Sequence, residues 1–199
     1  GAEMQAPQIP GTLPAADIKR LKLDAFDRSN DLKPLSVVTG DIIAKNAYEW
    51  SKATESPLAQ AAVRGAEKIT VRPLLGHSGK AVKLPKGASL SYDFYCDKSG
   101  DARFTIAAIP CFLNAVKDMR VSVSIDRGEP VICQLKEVYN SKDWQFDLWR
   151  GQTLKSFYVT LPGGSHNVTI KALDDNVMID QWVLDYDVDR EYYVFPVAK

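Results

Sequence analysis

The stretch at residues 119–126, MRVSVSID, alternates an apolar with a polar residue at every position. A period of two places all the apolar side chains on one face of an extended chain, which predicts a strand with one face buried and the other in water. Residues 90–96 repeat this pattern, and the turn-forming clusters RGEP (127–130) and PGG (162–164) separate such stretches. A chain built in this way needs a second layer to cover its apolar face.

About ten short strands with no long helix between them predict an all-β fold, an antiparallel β-sandwich of the jelly-roll type. We assign residues 36–199 to this sandwich. Residues 1–35 are assigned to an N-terminal leader or extension, poorly structured or extended, because three prolines fall within its first 14 positions. Ser56-Pro57 and the alanine-rich run after it predict a short helix or a structured loop.

Composition excludes several classes of function. The formal net charge is zero, from 25 basic and 25 acidic residues, and no basic stripe favours nucleic acid. The apolar runs are too short to predict a transmembrane span. Three cysteines, an odd number without close spacing, argue against a disulfide framework, and Cys96 and Cys133 lie in phase with apolar neighbours, which predicts buried free thiols.

The sequence offers no convincing catalytic group. Its two histidines, His77 and His166, are too few for a histidine-rich zinc centre. The segment 76–79, GHSG, has its second glycine one place too early for a nucleophile elbow and is interpreted as a turn. His166 opens a strand after a turn, so we expect its ring to bond a backbone carbonyl or to pack at the sandwich edge.

Acidic residues near the C-terminus could suggest a pair of catalytic carboxylates. Asp185, Asp187 and Asp189 alternate with apolar neighbours, however, and therefore predict the solvated face of a strand. The wider run to which this interpretation applies also contains Asp174, Asp175 and Asp180.

The best candidate binding site is a segment rich in aromatic and polar residues, interpreted as a loop region. Flat rings pack against the C–H faces of sugars, while amide, carboxylate and guanidinium groups bond their hydroxyls. The alternative is that the tryptophans belong to the core. This alternative is favoured for Trp144, left open for Trp149 and expected for Trp182. Tyr48 and Trp50 are weaker rim candidates. The candidate ligand-binding residues are Tyr139, Asn140, Asp143, Trp144, Trp149 and Arg150.

Five segments carry a resemblance to a known family. They occur in order at residues 40–47, 75–85, 90–95, 121–126 and 162–170. Together they resemble the C-terminal β-sandwich domain of glycoside hydrolase family 115, the α-glucuronidases acting on glucuronoxylan, and more loosely the galactose-binding-like carbohydrate modules. The resemblance covers residues 36–187 and implies an accessory domain, because catalysis in those enzymes belongs to a separate barrel. No catalytic position of the family can be carried over to this chain.

The resemblance also bears on metal binding. Its members often carry a glutamate after an alanine in the first strand, where it can bind calcium. Here Lys45 follows Ala44, and an ammonium group offers no oxygen ligand to a hard cation. No metal or other cofactor is therefore expected, and calcium is doubted at this point.

The favoured hypothesis is a non-catalytic accessory module that binds or presents plant-type polysaccharide or oligosaccharide, with glucuronoxylan as one example. Such modules are usually exported, which predicts a secreted, periplasmic or cell-surface location. Two alternatives stay open: a structural or protein-interaction module, including a homodimer, and a small hydrolase suggested by the family association alone.

Overall fold

The computed structural model of the chain describes residues 41–192 and 195–196. These residues form eleven strands and two short helices, α1 (Pro57–Gln60) and α2 (Lys142–Arg150). The strands are β1 (Ile42–Asn46), β2 (Lys52–Thr54), β3 (Thr70–Pro73), β4 (Lys80–Leu84), β5 (Ser89–Cys96), β6 (Gly100–Ala108), β7 (Arg120–Ile125), β8 (Val131–Gln134), β9 (Thr153–Leu161), β10 (Gly164–Ala172) and β11 (Val177–Asp185).

The strands form two antiparallel sheets. The first has the order β3–β4–β11–β6–β9, with β1 also paired to β11, and the second has the order β2–β5–β10–β7–β8. Every pairing is antiparallel. The predicted antiparallel β-sandwich is therefore confirmed.

The core lies between the two sheets and is centred on Trp182, which is fully buried as predicted. Its ring stacks on Phe104 at 5.2 Å between centroids and meets Tyr92 and Phe94 of the facing sheet edge-on, at 5.6 and 5.5 Å. Tyr92 satisfies its hydroxyl by donating to the backbone carbonyl of Ala47 at 2.7 Å. Aromatic rings from both layers thus lock the sheets together.

Strand β11 carries a β-bulge at Asp180. On one side of β11, residues 177–179 pair with β4 and residues 181–185 pair with β1. On the other side, Ile179 and Gln181 lie opposite neighbouring residues of β6, which leaves Asp180 as the extra residue. A bulge redirects the side chain that it carries. Asp180 is fully buried, so the solvated-face interpretation of the acidic run is wrong for this residue.

The outer face of the first sheet is partly covered by the segment that follows β11. Phe195 packs there with Ala107 and Val183 in a second small hydrophobic cluster. Arg103 holds the segment by donating hydrogen bonds to two of its backbone carbonyls, and its guanidinium lies 5.0 Å from the ring centre of Tyr192.

This cover overturns one prediction. Asp185 was expected on a solvated face, but it is completely buried, and its Oδ2 accepts hydrogen bonds from Arg190 Nε at 2.9 Å and the Tyr192 hydroxyl at 2.7 Å. The alternating pattern identified the outward side correctly but not the segment packed over it. Asp187 and Asp189 lie beyond the end of the strand and are exposed.

Other predictions are confirmed by the described residues. Cys96 and Cys133 are buried free thiols. Helix α1 begins after Ser56, whose hydroxyl accepts the Ala59 N–H at 3.2 Å. The predicted leader, residues 1–35, lies outside the described residues, and its boundary with the sandwich stays a prediction.

Candidate functional site

The candidate segment is not the predicted loop, because α2 occupies most of it. The Ser141 hydroxyl accepts the Trp144 N–H at 3.1 Å and caps the first turn. Gly151 ends the helix in the left-handed conformation, with φ of 69°, and its N–H donates to the Asp147 carbonyl at 2.8 Å. A capped helix holds its side chains at fixed angles, which a loop would not do.

Helix α2 is held against the first sheet by polar contacts, since Asp147 is its one fully buried residue. The Asp147 carboxylate accepts the Thr153 hydroxyl at 2.6 Å, and Arg150 Nη2 lies 3.5 Å away. Burial raises the pKa of the Asp147 carboxyl above its usual value, although the hydrogen bond from Thr153 acts in the opposite direction. At the end of the helix, His77 Nε2 donates to the Arg150 carbonyl at 2.7 Å.

His77 belongs to the loop between β3 and β4, and the bulge residue Asp180 anchors that loop. The Asp180 carboxylate accepts the backbone N–H groups of His77 and Ser78 at 2.7 and 3.2 Å, and the Ser78 hydroxyl at 2.5 Å. Gln152 Nε2 donates to the same carboxylate at 2.7 Å. The turn interpretation of the GHSG segment is confirmed, and its structural role is to connect the bulge to the end of α2.

One flank of α2 borders a cleft of about 760 Å³ on the outer face of the first sheet. We call it the arginine cleft. Its walls come from α2, the sheet and the C-terminal segment, and the residues used in the argument are Arg103, Phe146, Trp149, Arg150, Arg190 and Tyr192. The Trp149 side chain is 94% exposed, and Phe146, three positions earlier, is 63% exposed.

The three arginines of this cleft differ in how their charge is compensated. Arg190 pairs with the buried Asp185 at 2.9 Å. Arg103 bonds only backbone carbonyls among the described residues, and Arg150 has only the 3.5 Å contact with Asp147. The Nε atoms of both Arg103 and Arg150 are shielded from solvent, and neither has a hydrogen-bond partner in the part of the chain that the structure describes. The cleft therefore combines exposed aromatic surface with three guanidinium groups, and the exposed Glu191 carboxylate also lines it.

The other flank of α2 borders a second cleft of about 590 Å³. We call it the tyrosine cleft, and the residues used below are Asn114, Gln134, Lys136, Glu137, Tyr139 and Trp144. Trp144 meets Tyr139 and Phe112 edge-on, with ring centroids 5.0 and 5.6 Å apart. Trp144 is half-buried and lies outside the core between the sheets, which corrects the core interpretation favoured for it.

The six candidate residues are thus distributed around one helix and do not form one site. Trp149 and Arg150 line the arginine cleft, whereas Tyr139 and Trp144 line the tyrosine cleft. Asn140 precedes α2 with φ of 60° and accepts a hydrogen bond from Gln145, and Asp143 is exposed in the first turn; neither lines either cleft.

Sequence reasoning missed several lining residues. Arg103 occupies an outward position in the alternating pattern of β6, a signal shared by many solvated side chains. Phe146 lies three positions before Trp149, the spacing of neighbours on a helix. The weaker rim candidates Tyr48 and Trp50 pack against the core instead of lining either cleft.

Comparison with known proteins identifies the family. The model of the glycosyl hydrolase family 115 C-terminal domain matches residues 39–198. The chain belongs to this family. A search of curated proteins finds no match.

Several solved structures are similar in fold to this family 115 C-terminal domain. A family 115 4-O-methyl-α-glucuronidase, described as specific for decorated arabinogalactans, is 26% identical with a TM-score of 0.61, covering 72% of this chain and 17% of that enzyme. The chain thus spans less than a fifth of that enzyme. A family 35 carbohydrate-binding module from Clostridium thermocellum shares 13% identity at a TM-score of 0.50, with coverage of 72% and 98%. An exo-β-1,3-galactanase from Phanerochaete chrysosporium shares 13% identity at 0.51, with coverage of 72% and 29%.

The family match makes the chain a glycosyl hydrolase family 115 C-terminal domain, and the two structures of 13% identity show that its fold is shared with parts of carbohydrate-directed proteins. Among residues 41–192 and 195–196, no three or more histidine, cysteine, aspartate or glutamate side chains group in a way that could hold a metal ion. Within the same residues, no helix has the length and apolar character needed to cross a bilayer.

Proposed function

We propose that the chain is a non-catalytic accessory module that binds polysaccharide in the arginine cleft. Acid-decorated plant polymers such as glucuronoxylan are the first ligands to test. The observation that carries the proposal is the exposed Trp149 ring beside two guanidinium groups, Arg103 and Arg150, that lack full charge compensation.

The two kinds of side chain have complementary tasks. A ring exposed on a capped helix offers a flat apolar surface to a sugar ring at little entropic cost, because it is already held in place. Guanidinium groups match carboxylates and sugar hydroxyls with several directed donors.

Structural support around the cleft favours a binding role. Asp180 fixes the loop that carries His77, and His77 fixes the end of α2 next to Arg150. Arg103 is oriented by two backbone carbonyls. Preorganised side chains are a requirement for affinity in sites of this size. Because carbohydrate-directed modules of this kind act on extracellular polymers, we also propose an exported location, secreted, periplasmic or at the cell surface.

Affinity electrophoresis and calorimetry test the proposal with glucuronoxylan, the same polymer after reduction of its carboxyl groups, and an arabinogalactan, each with and without EDTA. Trp149→Ala is expected to lower affinity about tenfold or more, corresponding to the loss of one aromatic contact. Tyr95→Ala is the matched control, because Tyr95 is also an exposed ring (63%) but lies on the second sheet, away from α2.

If neither Trp149→Ala nor Tyr95→Ala changes the affinity, the arginine cleft is not the binding site. Loss of binding in EDTA would indicate a calcium site, contrary to the expectation drawn from Lys45.

A protein-interaction module is the second candidate, favoured by one observation. Phe146, Leu148 and Trp149 are all exposed on α2, an unusual concentration of apolar surface on one short helix. No binding to any glycan, together with concentration-dependent dimerisation abolished by Trp149→Ala, would favour this function over the first.

A further inference from the structure

The tyrosine cleft is a second cavity, separated from the arginine cleft by α2. Trp144 and Trp149 are five positions apart, and at about 100° per residue they point roughly 140° away from each other around the helix axis. A ligand in one cleft therefore does not contact the ring that lines the other. The two cavities can be occupied independently.

Polar side chains of this cleft are fixed by neighbours before any ligand arrives. Lys136 Nζ donates to the backbone carbonyls of Cys111 and Leu113 at 2.7 and 2.8 Å. The Gln134 side-chain oxygen accepts the N–H groups of Met119 and Lys136 at 2.9 and 3.0 Å.

Glu137 is held as well, because its carboxylate pairs with Lys155 at 2.5 Å. Such immobilised groups lose little conformational entropy on binding.

The charge of the tyrosine cleft differs from that of the arginine cleft. It contains no guanidinium, and its ionised groups are the ammonium groups of Lys117 and Lys136 and the Glu137 carboxylate, whose charge Lys155 compensates. The exposed Asn114 amide suits sugar hydroxyl groups, whereas the Gln134 amide is already bonded to Met119, Lys136 and Asp118. Tyr139, 66% exposed and packed edge-on against Trp144, provides the flat apolar surface.

We propose that the tyrosine cleft is a second saccharide-binding site, which binds a sugar ring through Tyr139 and Trp144 and needs no carboxylate on that sugar. The module then has two unlike sites on the two flanks of one helix, and a polymer with neutral and acidic residues could engage both through different parts of its length. This inference stands independently of the proposed function, because it uses no residue of the arginine cleft.

The test is an NMR titration that follows the indole N–H signals of the four tryptophans, with neutral xylo- and galacto-oligosaccharides and with the same sugars bearing a uronic acid. Single tryptophan-to-phenylalanine variants assign the signals. Neutral oligosaccharide is expected to shift the Trp144 signal and to leave the Trp149 signal unchanged. Tyr139→Ala is expected to lower neutral-sugar affinity about tenfold without altering the response of Trp149.

Asn114→Ala is the second variant, since an exposed polar residue can be truncated without endangering the fold, and it should weaken the same titration. Tyr95→Ala, on the second sheet and away from α2, is the control and should leave neutral-sugar binding intact. If the Trp144 signal responds to protein concentration and not to any sugar, the cleft is a contact between copies of the chain, and the proposal is overturned. It is likewise overturned if Tyr139→Ala and Trp149→Ala weaken the same titration equally, which would indicate one site. Failure of the acidic sugars alone would refute the proposed function and leave this inference standing.

Discussion

Replacement of Gly76 by alanine tests the link between the bulge in β11 and the loop that supports α2. Gly76 has φ of +73°, and a Cβ added there would lie 2.5 Å from Asp180 Oδ2, which is a severe overlap. Gly79, in the same loop, has φ of +79° and nothing within 4 Å of its added Cβ. The pair therefore separates the cost of the backbone conformation from the cost of displacing the Asp180 carboxylate.

The expected magnitudes differ clearly. A left-handed conformation at a non-glycine residue costs about 1 kcal/mol, which is the whole effect expected for Gly79→Ala. Gly76→Ala also weakens the hydrogen bonds that the Asp180 carboxylate accepts from the N–H groups of His77 and Ser78. Hydrogen bonds to charged groups contribute about 1.5–3 kcal/mol each, so Gly76→Ala is expected to lower the free energy of unfolding by about 4 kcal/mol.

Urea unfolding at neutral pH measures both variants against the unsubstituted protein. For a domain of this size the two losses correspond to Tm decreases of about 12 °C and about 3 °C. Equal losses for Gly76→Ala and Gly79→Ala would refute the reasoning, because they would show that the carboxylate is not held against the loop as the structure has it.

Two further outcomes are expected. Burial alone would lower the pKa of His166, but its hydrogen bonds to the Asp126 carboxylate and to a backbone carbonyl raise it overall. Its stabilising contribution is therefore complete at pH values below the ordinary histidine pKa and is lost as pH rises through the folded-state pKa. The urea midpoint should fall as pH rises above the ordinary histidine pKa, and His166→Gln should flatten this decline, whereas an unaltered slope in the variant would contradict it. A thiol reagent should modify the half-buried Cys111 first and Cys133 only on global unfolding, because Cys133 is buried and burial raises the pKa of its thiol above the usual value. Mass spectrometry of peptides from a time course checks the order of labelling. Early labelling of Cys133 would contradict this prediction and show that the sandwich opens locally.

The strands were predictable because burial of one face fixes the period of the sequence. In β5 and β7 each inward position is apolar, and the structure buries Leu90, Tyr92, Val121 and Val123. Such a pattern determines which side of a strand faces inward. It carries no information about a segment that covers the outward side, which is why the burial of Asp185 could not be predicted.

Helix α2 escaped prediction for a related reason. Its one fully buried residue is Asp147, so it lacks the inward apolar stripe by which amphipathic helices are recognised. The signals present were its caps, Ser141 and Gly151, which occur in many turns as well. A loop interpretation places Trp144 and Trp149 in one site, and only the helical geometry separates them into two clefts.

The covering of the first sheet by the C-terminal segment has a practical consequence for anyone who excises or fuses this domain. By strand count the sandwich closes at Asp185, yet Phe195 is buried against Val183, and the carbonyl of Pro196 accepts a hydrogen bond from Gln181 Nε2 at 3.4 Å. A fusion joined directly after the last strand would lack the C-terminal segment, and the apolar surface under that segment and the Asp185 carboxylate would be exposed to water. The folding unit is therefore longer than its sheets, and a fusion partner should be attached after residue 196.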